Sequence, residues 1–342
     1  MPISQFRKEF NEQGRSLQFT LNNFISDGFK DFKAIEGLIE KNNISNVIIT
    51  GMGSSYYASF VMSNLLNLNG FASFVIETTD LAYYGLDLIK SDTLVITVSK
   101  SGESNEIIDF INKINNKKNL IGITDEIEST LGTNSNIILR TYAGSEEAPT
   151  SKSFICTIGL QLALAYYLIK RDFNNQINEL LKLCDLLDNL IIENEQKINN
   201  LKEFVGELNY INILGRGPSL AVALQCSLVF KEEAKVFAEG MSSNAFLHGA
   251  DLLVDKNYLS IVLSPEGLTS HLDDDLIKHI TGKNGKVIVV TNRERLYKDD
   301  RVFEINIPNI DEHKSTLLQY VPLEMIIDKL NPLGFSNYLN NK

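Results

Sequence analysis

Cysteine is scarce in this chain of 342 residues: Cys156, Cys184 and Cys226 stand far apart and in no CxxC pair. An odd number at such spacing argues against a disulfide framework or a cysteine-bound zinc, and fits a reducing compartment. Positive charge is short as well, with 32 Lys and Arg against 43 Asp and Glu and a formal net charge of −11. Nucleic-acid affinity rests largely on neutralised phosphates, so neither DNA nor RNA is an expected partner. Long apolar runs are missing. The most apolar stretch, residues 154–169, is too short to span a bilayer and carries Gln161. It reads as a core helix, and no membrane partner is expected. Residues 1–8 hold nothing like the apolar heart of a secretory signal. The four His, at 248, 271, 279 and 313, lack ligand spacing, and neither HExxH nor a Walker A motif occurs, so no metal is expected. A soluble, cytoplasmic protein is the expectation.

What is present is core material. Hydrophobic residues make up 44% and charged residues 22% of the chain, the balance of a globular protein. Short β-branched runs recur, each followed by a segment with helical spacing. The strands expected in the first half are 46–50, 72–76, 93–98, 120–124 and 137–142; those in the second are 210–214, 259–263, 286–291 and 302–307. Strands alternating with helices imply βαβ units and mostly parallel sheets. Runs such as Val287-Ile288-Val289-Val290 show no period-2 alternation, as befits strands buried on both faces.

The two halves repeat one another. Val47 to Ser55, ending Gly51-Met52-Gly53-Ser54-Ser55, faces Ile211 to Ser219, with Gly51 and Gly215 separated by 164 residues. Ser99 faces Ser264 and Thr124 faces Thr291, at offsets of 165 and 167. Lys152-Ser153 and its apolar helix face Lys314-Ser315 and the helix through Leu330. A period this long is no solenoid; it means two copies of one α/β domain. The organisation expected is an N-terminal helical extension over 1–40, a first domain over 41–172, a connecting helix over 173–203 and a second domain over 204–342. In the extension, Phe6, Phe10, Leu17, Phe24 and Phe32 read as core contacts.

In open parallel sheets ligands bind beyond the carboxyl ends of the strands. The first strand ends in Gly51-Met52-Gly53-Ser54-Ser55-Tyr56 at a helix start, where free N–H groups and hydroxyls suit an anion. The third runs into Ser99-Lys100-Ser101-Gly102-Glu103-Ser104 and then a helix. Three hydroxyls, a Lys, a Gly for close approach and a helix N-terminus match the donors one phosphate needs. A capping box would explain one or two of these residues, but not two such loops on adjacent strands. A nicotinamide site fits less well: Tyr56 stands where the dinucleotide fingerprint has its third Gly, although Glu77 ends a strand at a suitable distance. No cofactor is expected.

The second copy reads differently. Its equivalent loop, Ser264-Pro265-Glu266-Gly267, carries an acid and loses an N–H to proline, so phosphate chemistry is not expected there. Residues 230–249 read instead as an insertion that holds Glu232, at the end of an apolar helix, and His248, which closes a Gly- and Ser-containing loop. Taken singly, a Glu or a His is more often a solvated charge or a surface imidazole than a catalyst.

Together, Gly53-Ser54-Ser55-Tyr56, the 99–104 loop, Thr150-Ser151-Lys152-Ser153-Phe154, and Lys231-Glu232 with His248-Gly249 resemble the sugar isomerase (SIS) domain family over about residues 40–330. Within it the chain is similar to the double-SIS isomerase half of glucosamine-6-phosphate synthases. The resemblance implies two tandem doubly wound, flavodoxin-like α/β domains, each a mostly parallel five-stranded sheet flanked by helices. It implies that Gly53, Ser54, Ser55, Ser99, Lys100, Ser101, Gly102 and Ser104, with Thr150 and Ser151, hold a hexose or hexosamine 6-phosphate. Glu232 would move a proton between C1 and C2. His248 would open the sugar ring, supplied by the partner subunit of a homodimer.

Departures from the synthase pattern shape the expected activity. No glutaminase domain precedes the two copies, and Pro2 stands in place of a nucleophilic Cys. Val229 replaces a Lys, Met52 a Cys, and the tail from Asn331 lacks the pattern Pro-Arg-Asn-Leu-x-Lys. The expectation is an isomerase or deaminase, for example one converting glucosamine 6-phosphate to fructose 6-phosphate and ammonia. The alternatives are a deglycase of 6-phosphorylated Amadori compounds of the fructoselysine type and a sugar-phosphate sensor without turnover.

Overall fold

Central strands buried on both faces, with less buried strands at the edges, build two sheets of the same design. The computed structural model describes residues 3–27, 29–115, 117–206, 210–294 and 297–339; the last three residues of the tail fall outside them. In the first half, β1 (Asn46–Gly51), β2 (Ala72–Glu77), β3 (Thr93–Val98), β4 (Leu120–Thr124) and β5 (Ile137–Arg140) pair in parallel, in the order β2-β1-β3-β4-β5. In the second half, β6 (Ile211–Gly215), β7 (Ala238–Ser242), β8 (Leu259–Leu263), β9 (Lys286–Thr291) and β10 (Val302–Asn306) form the parallel sheet β10-β9-β8-β6-β7. In each, the chain leaves its first strand to one side and returns on the other, which opens a crevice at the carboxyl edge.

Helices α1 (Gln5–Phe10), α2 (Gln13–Ser26) and α3 (Lys30–Lys41) precede the first sheet. Between and after its strands run α4 (Gly53–Leu68), α5 (Thr78–Tyr84), α6 (Asn105–Lys113), α7 (Thr130–Asn134) and α8 (Lys152–Leu168). The linker is α9 (Phe173–Asn199) and α10 (Leu201–Val205). The second sheet carries α11 (Ser219–Val229), α12 (Ser243–Phe246), α13 (Ser270–Gly282) and α14 (Glu312–Leu339). The apolar stretch that begins at Phe154 is indeed a core helix, since α8 is buried at nearly every residue. Phe6, Phe10, Leu17, Phe24 and Phe32 are buried, with Phe24 and Phe32 stacked at 5.4 Å. No helix among the described residues is long and apolar enough to cross a membrane.

Two strand expectations change. Residues 230–249 are not an insertion: they contain β7, which pairs with β6 as β2 pairs with β1. An edge strand with one buried residue, Ala238-Glu239-Gly240-Met241-Ser242 lacks the β-branched signature of the central strands. The fifth strand stops at Arg140 rather than 142, because Tyr142 takes a left-handed φ of 53° that no strand continues through.

The chain divides into two compact units. The N-terminal unit is Arg15–Glu146 with Lys152–Cys184; the C-terminal unit is Asp185–Lys342 together with the residues up to Gly14 and the short strap Glu147–Ser151.

Candidate functional site

In the N-terminal unit, β1 and β3 are in register from Asn46↔Thr93 to Gly51↔Val98, so the two serine-rich loops leave neighbouring strands at one edge. The first turn is steric. A Cβ on Gly51 would stand 2.9 Å from Val98 O and 3.0 Å from Tyr56 N, so only glycine lets α4 begin this close to the sheet. Gly53 takes a left-handed φ of 49°, and Ser54 and Ser55 follow in the first turn of α4, partly exposed, with Ser55 N donating to Met52 O at 3.1 Å.

The 99–104 loop is braced from behind. Lys100 O accepts from Asp125 N at 3.0 Å and Thr124 Oγ1 at 3.1 Å, and Gly102 O accepts from Leu131 N at 3.1 Å. Ser99 Oγ accepts from Gly102 N at 3.1 Å, and Ser101 Oγ from Glu103 N at 3.2 Å. Gly102 sits at φ 63°, and a Cβ there would fall 2.0 Å from Ser129 Oγ. Ser104 is the N-cap of α6 in extended conformation, yet its side chain makes no cap bond. Its hydroxyl is shielded from solvent and has no hydrogen-bond partner among the described residues, a condition it shares with Thr97, Ser219 and Ser243. The capping alternative is therefore not realised at Ser104. Lys100 is already engaged: its Nζ pairs with Glu146 at 3.2 Å, and Glu146 also accepts from Ser153 Oγ at 2.5 Å at the start of α8.

In the C-terminal unit, α11 runs to the buried Val229 and widens into a π-helical turn over Phe230–Ala234, ended by Lys235 at φ 54°. Single π turns of this kind recur at functional sites. Glu232 lies on this turn. It reaches solvent, but the protein around its carboxyl disfavours the charged form and raises its pKa above the ordinary Glu value, with Lys235 pulling the other way. Burial raises Glu233 as well, and its carboxylate accepts from Asn331 Nδ2 at 2.5 Å. His248 is exposed, followed by Gly249 at φ 144°, and among the described residues no hydrogen bond or ion pair joins it to Glu232.

The strap carrying Thr150 and Ser151 is held within the same unit by residues the sequence did not single out. Glu9 accepts from Glu147 N at 2.8 Å and Ala148 N at 3.1 Å. Thr150 O accepts from Gln225 Nε2 at 3.1 Å and Tyr320 OH at 2.6 Å. Ser151 is fully buried, and its Oγ accepts from Gln13 Nε2 at 2.9 Å. The one available signal was a long polar side chain flanked by apolar neighbours, as Gln225 stands in α11 and Glu324 in α14.

At the second sheet the corresponding edge is lined by ion pairs and carboxylates of the chain itself. Arg216 pairs with Asp273 and reaches Asn244, while Arg293 pairs with Asp274 at 2.9 Å and donates to Ser264 Oγ at 2.5 Å. Glu312 packs against Gly267 and accepts from Leu268 N at 3.3 Å, a carboxylate lying where an anion would otherwise meet the loop.

Tandem, doubly wound domains of five parallel strands, with serine-rich loops at one crevice, define the class. The SIS domain model matches residues 39–171 and 208–327, and the chain belongs to that family. The glutamine–fructose-6-phosphate aminotransferase (isomerizing) of Sulfolobus acidocaldarius is 27% identical over 297 residues, which is 86% of this chain and 48% of that protein. The enzyme of the same name from Thermococcus kodakarensis is 24% identical over 331 residues, 93% of this chain and 53% of that one. The chain thus spans about half the length of the curated relatives it matches. Among solved structures, the C-terminal domain of glucosamine-fructose-6-phosphate aminotransferase from Francisella tularensis has a TM-score of 0.83 at 21% identity, covering 95% of this chain and 94% of that chain. Glucosamine-6-phosphate deaminase from Thermotoga maritima has a TM-score of 0.75 at 23% identity, with coverage of 97% and 95%. These structures share the fold, that of SIS phosphosugar isomerase domains.

Proposed function

We propose that the protein is an isomerase or deaminase of a hexose or hexosamine 6-phosphate, working as a homodimer. The observation that carries this reading is the 99–104 loop: a rigid turn at the start of α6 whose Ser104 hydroxyl is shielded and unpartnered, beside the Gly53-Ser54-Ser55 turn of the adjacent strand. The 6-phosphate docks there. Lys100 is balanced by Glu146, so hydroxyls and helix N-termini supply most of the attraction.

Glu232 is the base. Its raised pKa suits a carboxylate that must take a proton from carbon and give it back. His248 of the partner subunit opens the ring by moving a proton between the anomeric hydroxyl and the ring oxygen. With glucosamine 6-phosphate, Glu232 takes the C2 proton and returns it to C1, giving the imine of fructose 6-phosphate. Water then adds to C2 and ammonia leaves. With a plain aldose or ketose phosphate the same transfer is an isomerisation.

Glucosamine 6-phosphate, fructose 6-phosphate and fructoselysine 6-phosphate, each incubated with the protein, test this through release of ammonia, sugar product or lysine. Turnover of either of the first two, lost by at least about 100-fold in Glu232→Gln, is the expected result. Lysine release alone makes the protein a deglycase. A raised melting temperature without turnover makes it a sensor. Glu232→Gln turning over at the parent rate removes Glu232 as the base.

A further inference from the structure

We propose that Gln13 is a positioning residue for the substrate strap, acting through Ser151, with Glu324 as the buried acceptor that fixes its amide; this rests on the proposed phosphosugar chemistry. Gln13 opens α2 and is 1% exposed. Its Nε2 donates to Ser151 Oγ at 2.9 Å and to Glu324 Oε2 at 2.5 Å, so both N–H bonds of the amide are spent and its orientation is set. Glu324 is wholly buried between Leu323 and Met325 on α14. A carboxylate in such a place is a poor route to stability, since an apolar side chain of like volume is usually as good. What the polar pair adds is direction.

The rest of the strap is clamped from the same unit. Glu9 fixes the N–H groups of Glu147 and Ala148, and Gln225 and Tyr320 fix the carbonyl of Thr150. Four points over five residues leave the strap one position. Gln13 is the point nearest to where the chain re-enters α8 at Lys152. A strap released there shifts Thr150 against the sugar, and misplacement of order 1 Å costs up to about 100-fold.

Gln13→Met keeps the length of the side chain and removes both donors. The expected result is a KM for the hexose 6-phosphate raised about tenfold with kcat within about threefold. The melting-temperature shift given by inorganic phosphate, which reads the 99–104 loop, stays at the parent value. Hydrogen exchange of the ligand-free protein should quicken over 147–151 and not over 99–104. In the exchanged pair Gln13→Glu with Glu324→Gln, the Ser151 hydroxyl can turn to donate, and KM returns to within about twofold of the parent. Parent KM and parent exchange in Gln13→Met overturn the proposal. If that variant does not fold, a folded exchanged pair with KM raised tenfold overturns it. If the parent neither turns over nor is stabilised by any sugar phosphate, the functional reading fails, and the exchange measurement still decides what Gln13 does.

Discussion

Glu232 is pulled in two directions by its surroundings: burial raises its carboxyl pKa, and Lys235 lowers it by a smaller amount. A base works ionised, so kcat/KM should fall on the acid side with an apparent pKa above the ordinary Glu value of about 4.3. Removing the charge in Lys235→Met should move that limb to still higher pH, and an unmoved limb would assign it to another group. Stability follows the same sign. A carboxyl whose folded pKa is raised favours the fold at pH below its unfolded value, and that contribution is lost as pH rises through the folded pKa. Glu232→Gln should therefore be inactive yet melt slightly above the parent at neutral pH, and indistinguishably from it in acid. Lys100 makes a related point. Sequence marks it as a phosphate ligand by its place in the loop, but only the fold reveals that Glu146 already holds its charge.

At the scale of elements, the proposed base Glu232 follows a helix whose seat is unusually close. A Cβ on Gly240 of β7 would stand 2.3 Å from Ala223 O and 2.7 Å from Ala223 C of α11, backbone atoms that cannot rotate aside. Gly240→Ala should push α11 outward and displace the π turn. The expected outcome is a loss of kcat of about tenfold or more with phosphate-induced stabilisation unchanged, measured by steady-state kinetics beside thermal melts. The central strands and both serine loops were legible from sequence because their signals are short-range: β-branched runs, and glycines with hydroxyls at strand ends. β7 was not, since an edge strand with one buried residue needs no apolar pattern. Nor was the π turn, which no residue type signals. The strap's clamps were hidden for another reason: Gln225, Glu9 and Gln13 meet their partners across 75 to 311 residues of chain.

For the whole molecule, the repeat read at an offset of 164 residues is realised as two sheets of one topology with different fates. The first edge carries the two serine-rich loops, while the second carries the buried ion pairs Arg216–Asp273 and Arg293–Asp274 and the Glu312 carboxylate. The proposed pairing of subunits concerns the whole molecule. His248 lies exposed, and four residues further along the chain come Leu252 and Leu253, which are 82% and 63% exposed. If a site takes Glu232 from one subunit and His248 from the other, neither His248→Ala nor Glu232→Gln works alone. Unfolded together and refolded in equal amounts, the two should regain about a quarter of the parent activity, since half the dimers are mixed and each has one intact site. No recovery would place both residues of a site in one chain.

The clamped strap also gives the site an order of birth. Thr150 waits for Tyr320 across 170 residues, and Gln13 waits for Glu324 across 311. On a ribosome adding roughly 5–20 residues per second, the strap precedes its last holders by on the order of ten seconds. A nascent chain can close its first sheet and form the 99–104 loop while the strap between Glu146 and Lys152 still hangs loose. A chain stopped before α14 would thus lack Tyr320 and Glu324, so the strap takes its final position only after residue 324 has been made.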